Sequence, residues 1–267
     1  MNGSMVRLTV DGAEVSAPEG RSLIEAIRKT GVQLPALCYH PSLEAYGACR
    51  LCVVEVTVDG RTKLLPSCST PVAERMVVQT DSEAAERARR LSMQLILARC
   101  SGVKSLWDYA AKMGVTDTPF EKSDEDCIMC GLCERVCREL VGKAVIAVAG
   151  RGAEREVRPP FDGECDVCIG CEACVAVCPT GKVKSLIEDG RLYMETWKTR
   201  LDLAHCAECG RVFAPEKLIE HVRSDAERLG IQPDLCPRCR GRSAAQRLRK
   251  ATATPAGSVT GRVESEG

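Results

Sequence analysis

CIMCGLCERVC (127–137) and CIGCEACVAVCP (168–179) place thiols at the same spacing, Cys-x2-Cys-x2-Cys-x3-Cys, twice in one chain. Three thiolates this close together hold one 4Fe–4S cubane, and the fourth reaches across to a second. One such run is compatible with a structural metal knot. Two in tandem predict two cubanes side by side, an arrangement suited to moving electrons. AVIAVAG (144–150) and EREVRPPF (154–161) between them read as a hairpin around Arg151-Gly152, and Thr180-Gly181 makes a turn after Pro179. Ile128, Ile169, Val175 and Val177 are expected to pack around the clusters and exclude water. Cys165 opens a second register, Cys165/Cys168/Cys171. Pro179 makes Cys178 the terminal cysteine, and the x3 gap back to Cys174 leaves Cys165 spare.

Upstream, residues 5–80 read as a small β-rich domain. VRLTV, the Asp11-Gly12 turn and AEVSA form a hairpin signal. Ser22-x-x-Glu25 predicts a capping box opening a helix that ends near Gly31. Cys38, Cys49, Cys52 and Cys68 follow, with LCVVEVTV as a strand after the pair. Cysteines on a tight loop plus one arriving later suit a 2Fe–2S cluster. The first gap holds ten residues where the plant-type pattern has four. The alternative is a structural zinc site, which the long gap fits poorly. Gly47 is expected where backbone closely approaches the cluster.

SEAAERARRLSMQLILARC (82–100) reads as an amphipathic helix with Ala84, Ala88, Leu91, Leu95 and Ala98 on one face and Arg87, Arg89, Arg90 and Arg99 on the other. Cys100 is expected as a buried apolar residue rather than a ligand. Near the other end, Cys206-x2-Cys209 and Cys236-x2-Cys239 read as one tetrahedral four-cysteine site, most simply structural Zn2+, with His205 beside it but surplus to it. Pro215 is expected to start a helix with Leu218, Ile219, Val222 and Leu229 on or beside its inner stripe, and Gly230 to end it. Arg238, Arg240 and Arg242 invite a nucleic-acid reading, but aromatic residues for base stacking are few.

The bulk properties narrow the classes. Eighteen cysteines in 267 residues, grouped at Cys-x2-Cys spacings, mean metal rather than disulfides in a chain with no secretory signal at MNGSMVRLTVDGAEVS. The expectation is a cytoplasmic protein. No apolar run reaches eighteen residues, so no membrane insertion is expected. Formal net charge is zero, which implies no bulk attraction to nucleic acid. No G-x-G-x-x-G follows a strand and no P-loop occurs.

GACRLCVVEV (47–56) and DEDCIMCGLCERVC…CIGCEACVAVCPTG (124–181) together resemble the N-terminal part of the large iron–sulfur subunit of the NADH module of complex I. They are equally similar to the small diaphorase subunit of NAD-reducing hydrogenases and the N-terminal region of iron-only hydrogenases. The resemblance covers roughly the first 190 residues. It implies an α+β chain: a β-grasp 2Fe–2S ferredoxin domain (1–80), a helical linker (81–119) and a dicluster 4Fe–4S ferredoxin domain (120–195). A zinc-ribbon-like module (196–243) and a mobile tail (244–267) complete the expected organisation. Carried over, Cys38, Cys49, Cys52 and Cys68 ligate the 2Fe–2S cluster. Cys127, Cys130, Cys133 and Cys178 hold one cubane, and Cys137, Cys168, Cys171 and Cys174 the other. By their spacing, not by the resemblance, Cys206, Cys209, Cys236 and Cys239 are expected to hold Zn2+. Relatives commonly carry a further His-x3-Cys-x2-Cys-x5-Cys site between the two domains. Residues 81–126 contain no His and only Cys100, so that cluster is expected to be absent. CAECG…LCPRCR resembles the cysteine-rich tails of ferredoxin-like subunits in membrane hydrogenase and formate hydrogenlyase assemblies. The resemblance implies an electron-transfer subunit between a flavin-bearing NAD(P)H-oxidising subunit and a terminal catalytic subunit, such as a hydrogenase or formate dehydrogenase, or ferredoxin. The alternative is an iron–sulfur redox-sensing or nucleic-acid-binding regulator that uses the zinc ribbon.

Overall fold

β1 (Met5–Val10) and β2 (Ala13–Pro18) pair antiparallel, with Val10 opposite Ala13. Asp11 and Gly12 between them both have positive φ, 47° and 84°, the two-residue turn whose twist matches the flanking strands. The computed structural model describes residues 4–160 and 165–252. α1 (Leu23–Lys29) follows, buries Leu23, Ile24, Ala26 and Ile27, and stops at Thr30-Gly31. The expected capping box does not form. Ser22 sits at the N-cap with no side-chain cap bond. Arg21 and Tyr39 hold Glu25 instead, at 2.7 and 3.3 Å, because a charged guanidinium outcompetes a neutral N–H for a carboxylate.

β3 (Val53–Val58), β4 (Arg61–Pro66) and β5 (Val77–Gln79) complete a five-stranded sheet of order β2-β1-β5-β3-β4. β1 runs parallel to β5, and the other pairs are antiparallel. Alternating Val6, Leu8 and Val10 meet Val54, Val56 and Val78 in one core with Leu23, Ala26 and Ile27 of α1, as period-2 strands with one buried face require. This is the β-grasp arrangement, a mixed sheet covered by one helix.

α2 (Glu83–Arg99) is capped by Ser82, whose hydroxyl accepts from the Ala85 N–H at 3.2 Å. Its buried face is not the expected one. Ala85, Arg89, Met93, Leu97 and Ala98 are buried, while Ala84, Leu91 and Leu95 are exposed. The cause is Arg89. Its guanidinium turns inward and donates to the carbonyls of Val53 (3.0 Å) and Thr80 (2.7 Å). A charge placed on the core side rotates the face that a hydrophobicity pattern would select. Arg89→Met should strand two buried acceptors and cost about 2–4 kcal/mol. The check is the chemical denaturation midpoint of the loaded chain, and a midpoint within error of the parent would reject the role. α3 (Lys104–Ala111) joins α2 in a second core with Leu37, Cys38, Cys49, Leu51, Cys130 and Leu132. The segment read as a linker thus builds the floor of the cysteine-bearing loops. Cys100 lies fully buried in this core.

α4 (Leu132–Arg135) runs into one turn of π-helix, Val136–Leu140. β6 (Ala147–Ala149) and β7 (Glu156–Arg158) form the expected hairpin, with Val148 opposite Val157. The expected Pro-Pro-Phe end reaches Phe161, outside the described residues. α5 (Ala173–Ala176) lies within the second tandem motif, and β8 (Leu186–Glu188) and β9 (Arg191–Met194) follow it.

The chain divides into two units. The first runs to Leu186 and includes Tyr193–Thr199; the second holds Ile187–Leu192 and the residues from Arg200 onward. In the second, β10 (Thr199–His205) pairs antiparallel with β11 (Val212–Pro215), Leu203 opposite Pro215. α6 (Glu216–Arg228) starts after Pro215 and ends at Leu229-Gly230, as expected. Its inner stripe is narrower than expected: Ile219 is buried, but Val222 and Leu229 are exposed. α7 (Pro237–Thr252) carries helix through residues 244–252, the start of the expected tail, and residues 253–267 lie outside the described residues. No helix among the described residues is long and apolar enough to cross a membrane.

Candidate functional site

Between α1 and β3 the chain has no regular structure, which frees its amides to face sulfur. The Cys49 N–H donates to Cys38 Sγ and the Leu37 N–H to Cys49 Sγ, both at 3.4 Å. Cys38 hydrogen-bonds both Cys49 and Cys68, and these contacts hold its thiol far below the ordinary range while raising Cys49 and Cys68. Cys52 is pushed down to about 6, chiefly by Cys68. Four sulfurs therefore converge. Gly47 has φ 69°, and a Cβ there would sit 3.0 Å from Ser69 Oγ. The left-handed backbone favours glycine there, and the crowding that a side chain would meet comes from Ser69, beside Cys68. Tyr109 of α3 braces the loop by accepting from the Ala36 N–H at 2.9 Å.

The two tandem motifs fold alike. Met129 and Gly131 in the first have positive φ, as do Gly170 and Glu172 at the matching positions of the second. The turns point amides back at sulfur: Met129 N–H donates to Cys127 at 3.4 Å, and Gly170 N–H to Cys168. Each motif uses glycine at one of its two left-handed positions, where a side chain is most strained.

Two cavities open beside them. One is lined by Cys127, Cys130, Cys133 and Cys178, the other by Cys137, Cys168, Cys171 and Cys174. Each cavity thus takes three cysteines from one motif and the fourth from the other. Ile128 lines the first and Ile169 the second. Val177 packs against the core instead, and Val175 lines neither. Cys165 also lines neither; its N–H donates to Thr199 Oγ1 at 3.2 Å. Burial raises the thiols of Cys127, Cys130, Cys133, Cys137, Cys168 and Cys174. A bound metal favours the thiolate that burial opposes, so a buried set of four thiols fits an iron–sulfur cluster. Cys178 differs. Burial raises it, but the Thr180 hydroxyl and the N–H groups of Val183, Thr180 and Lys182 outweigh that and lower it. Thr180 is expected only as a turn residue, and Trp197, which lines both cavities, carries no ligand spacing. Trp197 is one of only two tryptophans in an aromatic-poor chain, the one signal that marked it.

In the second unit, the sulfurs of Cys206, Cys209, Cys236 and Cys239 all lie within 4.8 Å of one another. Cys209 and Cys236 are 3.8 Å apart, the edge expected of a tetrahedron with metal–sulfur bonds of about 2.3 Å. The Cys236 N–H donates to Cys206 Sγ at 3.3 Å and pushes that thiol down to about 6. Burial pushes Cys239 up to about 12. His205 turns Nδ1 to the Gly210 carbonyl at 3.0 Å and stays outside the four-sulfur group.

Residues 3–83 match the family described as "2Fe-2S iron-sulfur cluster binding domain". The N-terminal stretch is a 2Fe–2S ferredoxin-type domain. Over a longer stretch, the chain is 35% identical over 211 residues to an NADP-reducing hydrogenase subunit HndD of Solidesulfovibrio fructosivorans, covering 67% of this chain and 36% of that one. It is 36% identical over 181 residues to an NADH-quinone oxidoreductase subunit of Mycobacterium bovis, covering 57% and 22%. It is 32% identical over 206 residues to the NADPH-Fe(3+) oxidoreductase subunit alpha of Geobacter sulfurreducens, covering 68% and 24%. The chain thus spans about a third or less of these relatives. Among solved structures, the NAD+-reducing [NiFe]-hydrogenase in its H2-reduced state aligns with TM-score 0.50 and 28% identity, covering 58% of this chain and 75% of that one. The 2Fe–2S domain and the sequence downstream therefore match the resemblance expected from the motifs.

Proposed function

We propose that this chain is an iron–sulfur electron-transfer subunit of a multi-subunit NAD(P)H-linked oxidoreductase. The observation that carries the proposal is the crossed pairing of two cysteine-lined cavities next to a 2Fe–2S domain. Cys38, Cys49, Cys52 and Cys68 would hold the 2Fe–2S cluster. Cys127, Cys130, Cys133 and Cys178 would hold one 4Fe–4S cluster, and Cys137, Cys168, Cys171 and Cys174 the other. Bound clusters supply one-electron carriers. The chain's own residues fix their spacing, exclude water with Ile128 and Ile169, and donate N–H bonds to sulfur. Each such bond favours the more negative, reduced state. The four cysteines of the second unit would hold Zn2+ with no open position, a structural or docking role. The partners would be a flavin-bearing NAD(P)H-oxidising subunit and a terminal catalytic subunit such as a hydrogenase or formate dehydrogenase, or ferredoxin, in the cytoplasm. A redox-sensing or nucleic-acid-binding regulator gains no support: the relatives compared are oxidoreductase and hydrogenase subunits by name.

Metal analysis of the anaerobically purified chain tests this. It should return about ten irons, from one two-iron and two four-iron clusters, and about one zinc. About fourteen irons would mean a cubane in the second unit or between the domains. Cys206→Ser should remove the zinc and leave the iron.

A further inference from the structure

Arg135 lies between Cys133 and Cys137 and is only 3% exposed. No carboxylate pairs with it among the described residues. Its neighbours Glu134 and Glu139 are both taken by Arg138. Its guanidinium instead crosses to the N-terminal cysteine loop. Nη2 donates to the carbonyl of Cys38 at 2.7 Å, and Nη1 donates to the carbonyl of Glu44. Nε is buried without a partner. Tyr46 of the same loop lies 5.3 Å from the guanidinium, ring to charge, and also packs on Gly131, where a Cβ would come within 3.2 Å of the ring. The Glu44 N–H donates to Glu139 at 2.9 Å, a second tie between the same segments.

Two neutral carbonyls do not need a full positive charge, and an unpaired buried charge is costly. Arg135 stands between Cys133 and Cys137 in the chain and bonds the main chain of Cys38, and Cys38, Cys49 and Cys130 belong to one buried core.

We infer that Arg135 is the electrostatic link between the 2Fe–2S site and the cubane framed by Cys127, Cys130, Cys133 and Cys178. The two anionic clusters stand in for its missing carboxylate, and its fork holds the Cys38 loop against the cubane motif. One electron added to either cluster adds one negative charge near the guanidinium. The cation therefore favours both reduced forms and raises both potentials. This rests on the cluster assignment above.

The test is an EPR-monitored redox titration of the full cluster-loaded chain. Arg135→Gln keeps N–H donors but removes the charge. It should move the 2Fe–2S potential and that of the nearer cubane to more negative values together, with the other cubane shifting less. Arg135→Lys keeps the charge and should retain most of the parent potentials. Arg135→Met is the second uncharged variant, and the same negative shift is expected from it. If neither uncharged variant loads both clusters while the Lys variant does, the charge is needed to hold them, which supports the proposal. A loaded Gln or Met variant with unshifted potentials overturns it, as does a Lys variant shifted as far as the Gln variant. Absence of the three cluster signals from the parent chain would sink the cluster assignment itself.

Discussion

The isolated chain, loaded with its clusters, is expected to bleach with dithionite or reduced ferredoxin and to stay oxidised under NADH or NADPH. A nicotinamide delivers a hydride, two electrons with a proton, whereas iron–sulfur clusters accept one electron at a time. A flavin is the usual converter between them, and it needs a binding site. The sequence has neither a dinucleotide fingerprint after a strand nor a P-loop. The cavities beside the tandem motifs are lined by eight cysteines in two sets of four, a donor set for metal rather than for a nucleotide. Reduction by NADH should therefore be far slower than with the flavin subunit present. Adding that subunit should restore it. Cys49→Ser should then block the step if the 2Fe–2S domain lies on the route. Stopped-flow absorbance follows the bleaching directly. Rapid bleaching of the flavin-free chain by NADH would make this protein an oxidoreductase in its own right and end the proposed division of labour.

Cys178→Ser should abolish the cubane of the first motif, although Cys178 closes the second. The structure lines the first cavity with Cys127, Cys130, Cys133 and Cys178. Thr180 and three backbone N–H groups around Cys178 already favour its thiolate, so its loss removes the best-prepared ligand of the set. Iron should fall by about four per chain. The surviving low-temperature EPR spectrum should match that of Cys130→Ser and differ from that of Cys171→Ser. Cys165→Ser should keep both cubanes, because Cys165 lines neither cavity. A Cys178→Ser spectrum that matched Cys171→Ser would mean each motif closes on its own. Loss of a cubane from Cys165→Ser would move the register of the second motif back by three residues.

Much of this chemistry is written locally. Iron–sulfur and zinc ligands come in short, regular spacings because several thiolates must reach one small centre from one turn of chain. The four cysteine groups, the β1–β2 hairpin with its Asp-Gly turn, the β6–β7 hairpin and the start and stop of α6 all follow from patterns a few residues long. Each depends on backbone preferences that act without the rest of the fold.

What depended on distant partners was not legible. The buried face of α2 was set by where the Val53 and Thr80 carbonyls needed a donor, so Arg89 went inside and Leu91 and Leu95 outside. Glu25 gave up a capping box to Arg21, a local partner four residues away, and to Tyr39 from the cysteine loop. Gly47 holds a left-handed backbone, and a side chain there would meet Ser69, a residue 22 positions away in the chain. Tyr109, Trp197 and Arg135 carry no spacing signature, yet they brace or line the cysteine sites through contacts across 73 residues or more in the case of Tyr109 and Arg135. The sequence alone determined where thiols stand at ligand spacing, because spacing is a local property. The tertiary structure decided which cysteines share a cavity and which charge is buried against their loops, because hydrogen-bond satisfaction and charge burial are settled only when distant segments meet.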